Sequence, residues 1–149
     1  GGKRRRRVAV KSPVSLPFEH EIMDGLKALK SQKLINLYDS ICSVPLNPHA
    51  PLISIGMWAF FESLSAKAGR NTQTDFISFF NKTRLQNYGV STGKGDKAIS
   101  DALRRVSHSG DVTKHDSTAA MFNGDQLAND METLKNLVIK CIEEASTKP

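Results

Sequence analysis

The chain has 149 residues, 39% of them hydrophobic and 24% charged, a length that suits one domain with a single core. Apolar residues recur at regular spacing from Leu26 to Ala145, which excludes disorder throughout, and no apolar run approaches the roughly 20 residues that span a bilayer. The net charge of +6 suggests a polyanion partner until it is located: Lys3, Arg4, Arg5, Arg6, Arg7 and Lys11 stand together without an acid, and the other basic residues merely equal the 15 acidic ones in number.

The first 16 residues are basic and then interrupted by Pro13, and they read as a linker or tail ahead of one helical domain over 17–149. Gly1-Gly2 without Met reads as an expression scar on a chain cut from a longer protein. Four consecutive arginines repel one another, stay extended and attract any polyanion. The tail is therefore a DNA or RNA contact, an anionic-lipid contact, an import signal or a plain solvated linker.

From Pro17 the pattern turns helical. Leu34, Leu37, Tyr38 and Ile41 share one face of a helix that begins between Phe18 and Leu26 and ends at Val44-Pro45-Leu46-Asn47-Pro48, since each proline disfavours helix in the residue before it. A second helix starts near Ala50 or Pro51 and ends at Gly69. Ile53, Met57, Phe60, Phe61, Leu64 and Ala68 repeat at 3.6 residues. Leu52, Ile55, Trp58 and Ala59 widen its apolar surface, as expected at the centre of a bundle. Asp75 to about Tyr88 reads as a shorter helix with Phe76, Phe79, Phe80 and Leu85 inward, and Gly89 to Asp96 as a loop. Lys97 to about Ser107 is a fourth helix, and 108–122 carries no clear period. In the last helix Asn123 and Gln126 resemble a capping box, and Leu127, Met131, Leu134, Val138, Cys141 and Ala145 form one stripe, broadened by Leu137 and Ile142. Two-residue alternation is missing throughout. The expectation is an all-α bundle of about five helices.

Chemistry-bearing motifs are few. In GVSTGKGD, Tyr88 stands where a phosphate-binding loop needs its first glycine and Gly95 follows Lys94, so the phosphate cradle and the magnesium hydroxyl are both missing. Cys42 and Cys141 sit in apolar helical contexts and read as buried free thiols rather than a disulfide. His20, His49, His108 and His115 form no metal-binding spacing. Trp58, Phe60 and Phe61 read as core rather than as a stacking platform, because few basic residues are interleaved with them. Outside the tail, Arg104, Arg105, His108, Lys114 and His115 are the densest basic and imidazole cluster. An imidazole there could serve as general acid or base on an RNA 2′-hydroxyl, with an arginine against the phosphate. The alternative is a structural role for His115 with Asp111 or Asp116.

Two segments carry a family resemblance. LINLYDSICSVPLNPHAPLISIGMWAFFESLSAKAG is similar to the front helices of HEPN-like and abortive-infection C-terminal domains: a short Leu-Tyr helix, a proline hinge, then a long helix running into an aromatic and Glu62. SHSGDVTKHDSTAAMFNGDQLANDMETLKNLVIKCIEEA resembles their closing unit, a turn with His115 followed by a long amphipathic helix. The resemblance implies a HEPN-like bundle, a homodimer, and fusion to an upstream nucleic-acid-directed domain in phage or foreign-DNA defence. Catalytic members place an arginine ahead of the histidine. Here the matching positions before His115 are Ser109, Gly110 and Asp111, and those before His108 are Asp101, Ala102 and Leu103. The expected function is thus a non-catalytic accessory domain, without cofactor or metal, cytoplasmic and not membrane-bound. The alternatives are a metal-independent endoribonuclease using Arg104, His108 and His115, and a DNA-binding module. Nucleic-acid contacts would fall on Lys3, Arg4, Arg5, Arg6, Arg7, Lys11, Arg104, Arg105 and Lys114. The breadth of the last helix's apolar stripe is read as room for a second copy.

Overall fold

A computed structural model describes residues 12–91, 93–115 and 123–149, and for 112–115 the backbone only. The described residues form seven helices and no strand: α1 (His20–Ala28), α2 (Gln32–Ser43), α3 (Leu46–Lys67), α4 (Phe76–Phe79), α5 (Lys82–Asn87), α6 (Asp96–His115) and α7 (Gly124–Ser146). The all-α expectation stands, and the larger count comes from two splits. The first helix is divided by Lys30, whose φ of 57° leaves the helical region, and by Ser31, whose hydroxyl caps α2 at the Leu34 amide (3.3 Å). The segment from Asp75 is divided by Asn81. Asp75 caps α4 at the Ser78 amide (2.7 Å), and Asn81 then starts α5 at the Arg84 amide (2.9 Å).

Helix α3 lies at the centre, packed against α2, α6 and α7, while α1 lies on α7 and α2, and α4 on α3 and α6. The proline hinge falls at the start of α3: Asn47 and Pro48 have non-helical angles, and regular helix follows from there through Pro51. Met57, Phe60, Phe61 and Leu64 are wholly buried. A run of rings crosses the core from Phe18 through Tyr38, Phe60 and Phe61 to Phe76, with neighbouring centroids 5.6–5.8 Å apart. Three interhelical contacts approach closely because one side supplies a glycine: Gly25 against Ile142, Gly56 against Ile41, and Gly110 against Trp58.

Helix α6 is longer than its periodicity implied, running to His115. Ala102, Leu103 and Val106 are buried, and so is Gly110 against α3. Among the described side chains of this last stretch the inward position is a glycine, which a search for apolar repeats passes over. In α7, Asn123 accepts from the Asp125 and Gln126 amides. The Gln126 side chain donates to Asp130 (3.0 Å). Leu127, Met131, Leu134, Leu137, Val138, Cys141 and Ile142 are all buried within this one chain, under α1, α3 and α6. The width of the α7 stripe is therefore taken up by packing within this one chain. Ahead of α1, Leu16 is in the core and the Val14 carbonyl accepts from the Leu46 amide (2.8 Å).

Candidate functional site

The basic cluster is built on α6. Arg104 and His108 are exposed and one turn apart, and His115 falls at the same register position of the helix. Eleven residues separate Arg104 from His115, a rise of roughly 16 Å. These positions form a stripe rather than a point, and within one chain they do not converge on a single phosphate. The side chains of Lys114 and His115 lie outside the described residues, as do Lys3, Arg4, Arg5, Arg6, Arg7 and Lys11.

Arg105 departs from the expectation of a free cation. Its guanidinium donates through Nε and Nη2 to both oxygens of Asp130 at 2.8–3.1 Å. Asp130 is 1% exposed, and Gln126 adds a further donor to it. The hydrogen bonds to Asp130 hold the Arg105 pKa above its ordinary value. A buried carboxylate requires such a partner, because an unpaired one costs several kcal/mol. Arg105 is therefore a clasp between α6 and α7, its charge already matched.

Two other polar networks escaped the sequence reading. Arg70 is buried after α3 and donates to the Ser65 hydroxyl (2.8 Å), the Glu62 carboxylate (3.0 Å) and the Thr74 carbonyl. Arg84 and the Tyr88 hydroxyl both bond Glu144, which fastens α5 to α7. The Arg70 network joins residues four to eight apart around the end of α3, whereas the other has no local spacing signal, since Glu144 lies 60 residues from Arg84 in the chain. Cys42 and Cys141 are free and buried. Burial pushes their thiols up to about 11 and about 12, so neither is an activated nucleophile. Among the described residues no cluster of three His, Cys, Asp or Glu could hold a metal ion, and no helix is long and apolar enough to cross a membrane.

The least expected surface lies on the other side of α3. Between Asp39 and Glu62 the chain has no Asp, Glu, Lys or Arg, yet part of this segment faces outward. Leu52 is 60% exposed and Ile55 36%. They border a groove of about 260 Å³ between α2 and α3, lined by Leu37, Ile41, Val44, Gly56 and Ala59 among others. The periodicity of α3 assigned Leu52, Ile55 and Ala59 to a wider core. The helix is too broadly apolar for its neighbours to cover its whole circumference, and this strip is what remains.

No protein-family model, curated protein or solved structure matches the chain.

Proposed function

We propose that this chain is a non-catalytic, HEPN-like helical accessory domain that pairs with a second copy of itself through the α2–α3 face, in the service of a nucleic-acid-directed module on the same polypeptide. The observation that carries the reading is the charge-free strip with Leu52 and Ile55 standing beside an apolar groove. Interface centres are depleted of charge, and a two-fold pairing requires one patch to hold both the protrusion and the recess. Here Leu52 and Ile55 are the protrusion and the adjacent groove is the recess. A charge-free strip has nothing to offer a polyanion and most to gain from a like surface.

The engagement of Arg105 by Asp130, and the axial spread of Arg104, His108 and His115, favour this reading over the ribonuclease one. Sedimentation or light scattering of the whole chain is expected to report a dimer, and Leu52→Glu with Ile55→Glu a folded monomer. A strict monomer before substitution, or a dimer indifferent to both changes, would overturn the pairing. RNA incubated with the chain is expected to stay intact. Cleavage that disappears in His115→Ala would establish the ribonuclease reading instead.

A further inference from the structure

A second concave surface lies away from the α2–α3 face, where α5 and the loop before α6 meet α6. It is a cleft of about 390 Å³. Its floor is apolar, with Phe80, Leu85 and Leu103 buried and Ile77 beside them. Its polar lining is divided by charge. Lys82 and Arg104 line it, both exposed and without an ion pair among the described residues. Asp96 lines it too. One Asp96 oxygen accepts from the Ser91 hydroxyl (2.9 Å), while the other is buried with no hydrogen-bond partner among the described residues. A carboxylate oxygen left without a donor is costly, and such atoms in native proteins call for an explanation.

Asp96, Ser100 and Arg104 stand one turn apart on α6, so Asp96 and Arg104 are separated by roughly 12 Å along the axis. A helical side chain leans toward the N-terminus, so the Arg104 guanidinium takes back part of that distance. Along its α6 wall the cleft thus runs from a negative group, Asp96, to a positive one, Arg104, over the apolar floor. An α-amino acid, whose charges share one carbon, is too short to reach both. A single phosphate or carboxylate leaves Asp96 unanswered.

We propose that this cleft binds an ω-ammonium carboxylate: the ammonium on Asp96, the carboxylate on Lys82 and Arg104, and an intervening chain of about five or more methylenes on Phe80, Leu85 and Leu103. The terminal torsion of an aspartate is broad, so a turn of the carboxylate presents either oxygen to the arriving ammonium. The same chemistry is offered by a free aminocarboxylate and by a peptide ending in lysine. The inference does not rest on self-association, since its residues belong to a different face.

The test is calorimetry or NMR titration of the whole chain with glycine, 4-aminobutyrate, 6-aminohexanoate and 8-aminooctanoate. Binding is expected to strengthen at least tenfold from glycine to the six- or eight-carbon member. Arg104→Gln and Asp96→Ala should each weaken that member at least tenfold, and Arg104 is exposed enough that its variant keeps the fold. Hexanoate and hexylamine, each lacking one charge, should bind as poorly as the variants. A lysine-terminated peptide that binds as well as 6-aminohexanoate, and loses affinity on C-terminal amidation, identifies the peptide source. Preference for the free compound identifies the small molecule. Affinity that ignores chain length, is matched by inorganic phosphate, or survives both substitutions would overturn the proposal.

Discussion

Gly110 stands where α6 meets Trp58 of α3. A Cβ there would lie 2.4 Å from the Trp58 Cβ and 2.5 Å from its Cγ. Alanine in a helix ordinarily gains about 1 kcal/mol over glycine. At this position the overpacking cost of about 1–3 kcal/mol is the larger effect, because the opposing atoms lie at the root of an indole and cannot swing aside. Gly110→Ala is therefore expected to lower the denaturation midpoint, and an unchanged or raised midpoint would contradict the close approach. The buried thiols give a second residue-level outcome. Burial raises the folded-state pKa of Cys141 to about 12, from an ordinary 9.0. A group raised on folding contributes stability that is whole below its unfolded pKa and is lost as pH rises through the folded one. Stability should decline from about pH 9 to about pH 12, and Cys141→Ala, whatever its baseline, should flatten that decline. Parallel pH profiles for the two proteins would argue against a titrating thiol.

At the scale of elements, the long helices were legible and the clasps were not. The apolar period of α3 and α7 is sustained over many turns, so it locates them from sequence despite uncertain ends. The splits at Lys30 and at Asn81 were missed because each rests on one or two residues whose caps, Ser31 and Asn81, do not disturb the apolar spacing around them. The basic cluster was visible as composition. The partnership of Arg105 with Asp130 was not, because the two are 25 residues apart and on different helices. The same holds for Glu144. With its Arg84 and Tyr88 bonds it is the main polar tie of the short helix α5, which buries only Leu85. Six residues do not sustain a helix alone. Glu144→Ala is expected to cost about 1.5–3 kcal/mol, the worth of hydrogen bonds to a charged group. It should also speed amide exchange in α5 while leaving α3 and the middle of α7 protected. Exchange that rises uniformly over all helices would show that the clasp supports the whole bundle instead.

For the whole molecule the question is where nucleic-acid affinity would reside. The tail holds six cations within eleven residues, and the rest of the chain is formally neutral. On the folded body the acids are partly spent on the bases: Arg70 with Glu62, Arg84 with Glu144, Arg105 with Asp130, and Lys135 with Glu19. Arg104, Lys82 and six further lysines among the described residues have no ion pair, but they are scattered over the fold, and Arg104 and Lys82 line a cleft that also holds Asp96. Single cations scattered over a formally neutral body make a poor track for a phosphate backbone, whereas four adjacent arginines neutralise several phosphates at once. Each contact releases counterions and contributes about 0.9 to the log–log slope of affinity against salt for duplex DNA. Deleting residues 3–11 is therefore expected to abolish most duplex binding and to lower that slope by up to about 5, while Arg104→Gln changes it by about 1 or less. The same deletion should leave the thermal midpoint nearly unmoved, because the first core residue among the described ones is Leu16. Affinity and slope that survive the deletion would place the nucleic-acid surface on the folded body, with Arg104 and Lys114 the first residues to replace.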